Sequence, residues 1–340
     1  DRLEKAGACF GEMSGWERAN WFAEAGTKPN YEYSYGRQNW FELSASEHNA
    51  ARENVALFDM SSFGKFLLQG KDTEKILNRI CANDVTVPAG KVVYTAWLNK
   101  RGGIESDLTV TRLSEDIFLV ITAGANQIRD LAWLNKNIPE DAKTTVTDVT
   151  SGYTVLSLMG PESRNLMSRL TTEDLSNQAF PFGTGREIEI GYAKALALRM
   201  TYVGELGWEI YLPTEFAQDI FDKIIAAGGE HGLKLAGMHA LNSLRLEKAY
   251  RHWGHDITDE DTPLDAGLSF AVKFDKKGGF IGRDALLKQK ESKVLKRRLV
   301  QFALDDPQPL LYHNEPIWCG DIIVGDLTSG MYGHTIGTCL

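Results

Sequence analysis

Thr201-Tyr-Val-Gly-Glu-Leu-Gly-Trp-Glu-Ile-Tyr-Leu212 decides how this chain is read. Leu196, Leu198, Met200 and Tyr202 alternate as one apolar strand face, and Trp208, Ile210 and Leu212 alternate as another. Gly204 and Gly207 bracket a tight connection between the two, with Glu205 at its tip. Glycine lets a backbone approach a ligand closely, so the Glu205 carboxylate can point into a cleft. A plain hairpin carrying a solvated glutamate fits the same residues.

Gly102-Gly-Ile-Glu-Ser-Asp-Leu108 presents a second acid upstream. Ile104, Ser106, Leu108 and Val110 form one face of a strand, and Glu105, Asp107, Thr109 and Thr111 form the other. Strand interiors disfavour aspartate, so Asp107 needs either water or a partner. It reads as a solvent-facing acid on a half-exposed sheet or as half of a polar ligand site.

A helix is expected from about Ala236 to Tyr250, where Met238, Leu241, Arg245 and Ala249 follow one another by three, four and four residues. Arg245 therefore lies on an apolar stripe. Its guanidinium keeps its proton and must find acceptors. It can snorkel to the edge, pair with an acid such as Asp107, or meet a ligand carboxylate; a structural ion pair ranks ahead of direct ligand contact.

With 340 residues, two or three domains are expected, and 43% hydrophobic residues suffice for their cores. The net charge of −9 argues against nucleic acid as a partner. The basic run Lys288, Lys290, Lys293, Lys296, Arg297 and Arg298 reads as a solvated helix end and linker. Cys9, Cys81, Cys319 and Cys339 show no zinc or redox spacing and fit free thiols in a reducing, intracellular compartment. His252 and His255 beside Asp256 read as hydrogen-bonding loop residues and no metal site is expected. No apolar run reaches membrane-spanning length.

The first forty residues hold Trp16, Trp21 and Trp40 with little periodicity, and are expected to pack on a neighbour. Asp72 can cap a helix carrying Ile76, Leu77 and Ile80, before strands at 92–98, 104–111 and 117–122. Gly160-Pro161 opens a helix with Leu166, Met167 and Leu170 inward, and Thr214 can cap one with Phe216, Ile220, Phe221, Ile224 and Ile225 as its stripe. Short strands are expected at 298–303 and 322–327. No GxGxxG follows a strand and no P-loop occurs, so no dinucleotide-binding fold is expected in this chain. The class read from these patterns is α+β with a small all-β end domain.

Phe10-Gly-Glu12, Gly15-Trp-Glu-Arg18, Asn39-Trp-Phe41, Phe58-Asp-Met-Ser-Ser-Phe-Gly-Lys65, the two acidic motifs, Ala240-Leu-Asn-Ser-Leu-Arg-Leu-Glu-Lys248, Tyr250-Arg-His-Trp-Gly-His-Asp256, Pro263-Leu-Asp-Ala-Gly267, Phe280-Ile-Gly-Arg283 and Thr328-Ser-Gly330 occur in a telling order. Over nearly its whole length the chain resembles the folate-binding half of the sarcosine and dimethylglycine dehydrogenase family, within the glycine-cleavage T-protein superfamily. The resemblance implies an α+β, three-domain cloverleaf with ferredoxin-like and antiparallel-sheet domains and a small C-terminal β-barrel or jelly roll. Residues 1–41 would be a junction after an absent FAD domain. Residues 42–290 would be the aminomethyltransferase-like folate-binding region, and 291–340 an incomplete β-barrel, the chain being a fragment.

The implied function is tetrahydrofolate-dependent capture of a one-carbon unit from the iminium of an N-methyl amine, giving 5,10-methylenetetrahydrofolate. FAD would belong to the absent half, which would be the partner domain or subunit; neither nucleic acid nor membrane is implied. By position, Asp107 matches the family's catalytic acid, Glu205 the acid that grips the pterin, Tyr202 a wall of the ring site, and Arg245 a brace or a contact to the folate tail. Many relatives have two adjacent acids where this chain has Ser106-Asp107, and Asp where it has Asn242. A free-standing aminomethyltransferase or demethylase, and a non-catalytic relative like the pyruvate dehydrogenase phosphatase regulatory subunit, are the alternatives. The location would be cytoplasmic, or the mitochondrial matrix in a eukaryote.

Overall fold

Two antiparallel sheets share one apolar layer, and that layer places the acidic motifs. The computed structural model describes residues 1–292, 295 and 297–340. The six-stranded sheet runs in the order Gly185–Ile190, Ala193–Leu198, Gly207–Pro213, Tyr153–Met159, Val55–Asp59 and Leu233–Leu235. Only the last pair is parallel. The five-stranded sheet is ordered Val92–Leu98, Ile104–Ser114, Ile117–Thr122, Gly64–Gln69 and Thr145–Asp148.

Alternation along each strand sorts side chains to two faces. Trp208, Ile210 and Leu212 pack outward with Ile220 and Ile224 of the helix Ala217–Gly228. Leu108, Val110 and Phe118 pack outward with Ile76, Leu77 and Ile80 of the helix Thr73–Ile80. The opposite faces meet: Leu119 and Ile121 from one sheet join Phe58, Val155, Met159, Leu198 and Tyr211 from the other. Met238, Leu241 and Leu244 of the helix Met238–Glu247 complete this shared layer.

Several expectations need correction. The strand Ala193–Leu198 stops before Met200 and Tyr202, so the connection carrying Glu205 is a loop over 199–206. Its width reflects the Thr201 hydroxyl, which accepts the amide N–H groups of Val203, Gly204 and Glu205 at 3.2, 3.0 and 3.3 Å. Such a side chain gives the backbone an alternative to the ladder. Asp72 does not cap its helix; its carboxylate accepts the Lys143 amide at 2.8 Å. Thr214 donates to the Ser151 carbonyl instead of capping. Ala249 lies beyond the helix end in the left-handed region, at φ 53°, so it is no part of the stripe.

The N-terminal segment forms a hairpin, Ala8–Met13 with Trp16–Phe22, that the irregular aromatic pattern hid. Its turn sits on Ser14 and Gly15, both at positive φ. Trp21 is fully buried, whereas Tyr33 and Tyr35 are exposed. The buried Glu47 carboxylate joins hairpin to core by accepting the amides of Phe22 at 2.7 Å and Gly237 at 2.9 Å.

Residues 298–303 form no strand, and the end domain consists of the hairpins Pro316–Cys319 with Ile322–Asp326 and Tyr332–Gly333 with Thr338–Cys339. Of the basic run, Lys290 lies over the Phe274 ring and Arg297 pairs with Asp261 at 2.9 Å. Lys293 and Lys296 fall outside the described residues. Among the described residues, no helix is long and apolar enough to cross a membrane.

Candidate functional site

The strand Ile104–Ser114 turns Asp107 toward the shared layer, because Asp107 shares its face with Thr109, whose cross-strand partner Ile121 packs there. Asp107 is deeply enclosed yet keeps accessible surface, as do Tyr94, Tyr202 and Glu209. The Tyr94 hydroxyl donates to Asp107 Oδ2 at 2.9 Å. Burial pushes the Asp107 carboxyl up to about 6, and the Tyr94 hydrogen bond restrains the rise. An acid so placed changes charge near neutral pH and can take a proton from a reacting nitrogen.

Ser106, on the other face, donates to Asp130 Oδ2 at 2.7 Å, and the Thr122 hydroxyl donates to the same oxygen. Asp130 is fully buried and is pushed up to about 6 by burial, against these bonds. Ser106 thus serves a second buried carboxylate behind the sheet.

Glu205 is held quite differently. Its Oε1 accepts from Arg52 Nη1 at 3.0 Å. Gly204 precedes it at φ 79°, and a Cβ there would lie 2.6 Å from the Lys248 methylenes. Glycine is therefore needed twice over at this position, for conformation and for space. Tyr202 donates through its hydroxyl to the Arg251 carbonyl at 2.7 Å, and its ring stacks on Tyr250 with centroids 6.0 Å apart. Burial pushes its phenol well up, and the charges of Arg245 and Asp107 are the next influences on it. Tyr202 thus stands within electrostatic reach of both.

Arg245 does not pair with Asp107. It donates to Asp256 Oδ2 at 2.5 Å, to the Tyr250 carbonyl at 3.1 Å and to Ser329 Oγ at 2.9 Å, with Asn242 Oδ1 at 3.5 Å from Nε. Burial opposes the Asp256 charge, but Arg245, Ser329 and Thr328 outweigh it and hold the carboxyl below its ordinary value. The helix stripe thus places Arg245 in a buried ion pair that ties the helix to the loop 250–256 and to the end domain. Asn242 contacts it from one turn earlier on the same helix.

His252 and His255 lie with ring centroids 4.5 Å apart beside Asp256, which accepts the His252 amide at 3.0 Å. Burial holds His252 down to about 4, so the ring is neutral at neutral pH. Among the described residues, no group of three or more His, Cys, Asp or Glu side chains is placed to hold a metal ion.

Sequence reasoning missed Arg52, Tyr94 and Glu247. A signal existed for two of them. Arg52 follows His48 by four residues and so shares its helix face. Tyr94 lies two residues before Ala96, which pairs across the ladder with Asp107.

The chain matches the GCVT N-terminal domain over residues 1–276 and the glycine cleavage T-protein C-terminal barrel domain over 297–340. It is 48% identical to the 4-methylaminobutanoate oxidase (formaldehyde-forming) of Paenarthrobacter nicotinovorans, over 99% of this chain and 40% of that protein. It is 38% identical to the mitochondrial dimethylglycine dehydrogenase of Homo sapiens, over 98% of this chain and 38% of that one. It therefore spans about two fifths of the length of these relatives. The crystal structure of the glycine cleavage system aminomethyltransferase T from Bartonella henselae superposes with a TM-score of 0.84 at 26% identity, covering 99% of this chain and 86% of that one. The α+β architecture with its small barrel-like end domain is the T-protein one. The chain belongs to the glycine-cleavage T-protein family, as an aminomethyltransferase-type domain whose relatives include amine-oxidising enzymes.

Proposed function

We propose that this chain is a tetrahydrofolate-dependent one-carbon transfer module acting with an FAD-containing amine-oxidising domain or subunit. The observation that supports the reading most is the presence of two differently partnered acids in a T-protein-family domain, Asp107 against the Tyr94 hydroxyl and Glu205 against the Arg52 guanidinium. Glu205 Oε2 makes no hydrogen bond among the described residues, so a carboxylate edge is left for a ring with adjacent N–H donors. The donor set fits a pterin in that respect.

Tetrahydrofolate, when bound, supplies the amine nitrogens to which an iminium carbon is added while the demethylated amine leaves. The chain's residues would do the rest. Asp107, ionised above a pH of about 6, would face the cationic carbon and accept the proton released from nitrogen. Tyr94 would orient that carboxylate. Tyr202 would wall the ring, and Arg245 would brace the site through Asp256, since its donors are turned to protein acceptors. Residues 1–41 would be the junction to the flavin half, 42–290 the folate-binding region and 291–340 part of a barrel. The setting would be intracellular, cytoplasmic or in the mitochondrial matrix.

Calorimetric titration of the chain with tetrahydrofolate under anaerobic conditions tests the reading. Saturable binding that is lost in Glu205→Gln supports it; a parent chain extended at both ends that still fails to bind overturns it. A second reading is favoured by the relative named as formaldehyde-forming, in which the carbon leaves as free aldehyde. In a full-length protein carrying this chain, added tetrahydrofolate lowers the formaldehyde yield under the first reading and leaves it unchanged under the second.

A further inference from the structure

Arg52 stands one residue before the end of the helix Phe41–Glu53, between two carboxylates and two backbone carbonyls. Nη1 donates to the Val203 carbonyl at 2.5 Å and to Glu205 Oε1 at 3.0 Å. Nη2 donates to the Leu244 carbonyl at 3.0 Å and to Glu247 Oε2 at 3.0 Å, and Nε reaches the same Glu247 oxygen at 3.3 Å. A guanidinium has five N–H groups, and all five are engaged. Its side chain is 9% exposed, so these bonds are made largely out of water.

Glu247 is anchored on its far side. Its Oε1 accepts the amides of Thr335 at 2.8 Å and Ile336 at 3.3 Å, and His48 Nε2 lies 3.5 Å away. His48 in turn meets Thr335 Oγ1 at 2.8 Å and Ser243 Oγ at 3.0 Å. Burial works against the Glu247 charge, but His48, the Thr335 amide and Arg52 outweigh it and hold the carboxyl down to about 2. One continuous chain of charged hydrogen bonds therefore runs from the end domain through Glu247 and Arg52 to Glu205 and the backbone of Val203, two residues before it.

We infer that Arg52 is the positioning residue of this site, fixing the orientation of Glu205 and tying it, through Glu247, to the turn Thr335–Ile336. The inference rests on the folate reading of Glu205. The guanidinium plane contributes what a lysine cannot, since one ammonium has three donors at a single point and cannot span two carboxylates and two carbonyls. Fixing Oε1 leaves Oε2 as the oxygen offered to a ligand.

Arg52→Lys in the intact chain provides the test, with two readouts. Amide hydrogen exchange should quicken at Val203, Gly204 and Glu205 and stay unchanged in the sheet strands Tyr153–Met159 and Gly207–Pro213. Tetrahydrofolate affinity should fall by about tenfold or more. In Arg52→Lys combined with Glu205→Gln, the loss should be little larger than in Glu205→Gln alone, which a purely structural role of Arg52 would not produce. Unchanged loop exchange, or losses that simply multiply, would overturn the inference. If Arg52→Lys does not fold, Glu247→Gln carries the same readouts with smaller shifts in the same directions. A parent chain that does not bind tetrahydrofolate removes the folate reading only; loop exchange then decides Arg52 by itself.

Discussion

Asp107 and Glu205 are both part-buried carboxylates of the same domain, but the protein surrounds them with opposite chemistry. Asp107 has a neutral phenol as its partner and, among the described residues, no ion pair, so burial wins and its pKa rises to about 6. Glu205 has instead a cation as its partner, with the Arg52 guanidinium at 3.0 Å. The comparison teaches that one domain can hold one acid against a neutral donor and another against a cation; the difference lies in their neighbours, not in their residue type.

The contrast can be broken most severely at the proton-exchanging end. Asp107→Asn should lower one-carbon transfer by about 10² to 10⁴-fold while folate affinity moves only a few-fold, as read by single-turnover kinetics beside calorimetry. Comparable losses in both would mean that Asp107 binds and does not transfer. Glu205→Gln should do the reverse, weakening affinity by about 10 to 150-fold, the range expected for one charged hydrogen-bond pair.

The same contrast sharpens with pH. Transfer that requires ionised Asp107 should rise as pH climbs through about 6. Tyr94→Phe removes the donor to the anion and should move that midpoint upward by roughly one unit. For stability the sign is opposite. The folded-state value lies above the ordinary carboxylate value, so the folded chain holds this proton more tightly than the unfolded one. The stability Asp107 forfeits is nil below the usual carboxylate range, grows as pH rises, and is fully forfeited above about 6. The smallest expected effect lies at the loop. Gly204→Ala should cost about 1 kcal/mol in chemical denaturation, from its left-handed φ alone, with the Lys248 stem forced to shift. Full stability in that variant would show that the loop is looser than its hydrogen bonds imply.

Much of this was legible in the sequence where short periods carry the signal. The strands Val92–Leu98 and Ile117–Thr122 have the expected bounds, and strict alternation put Asp107 on the face opposite Ser106, Leu108 and Val110. The helical stripe likewise placed Arg245 inward. Its partner was misjudged, because Asp256 reaches it from a loop that obeys no period. The hairpin Ala8–Met13 with Trp16–Phe22 escaped because aromatic residues stand on both of its faces. Residues 298–303 alternate like a strand but have no neighbouring strand to pair with, so the pattern alone does not make one. For Arg52 the helix face was legible but the partners were not, since its acceptors lie more than 150 residues away in sequence. Local propensity carries no trace of such pairings.

The apolar layer shared by the two sheets also governs how the domain comes into being. Leu119 and Ile121 have their inner neighbours in strands that follow much later in the chain, at Val155, Met159 and Leu198. Neither sheet can cover its inner face alone, so the two should melt in one cooperative transition. The inner face that carries Asp107 is covered only once that transition is complete. A chain cut between Asp148 and Tyr153 would yield a five-stranded sheet with one greasy face bare and a strong tendency to aggregate.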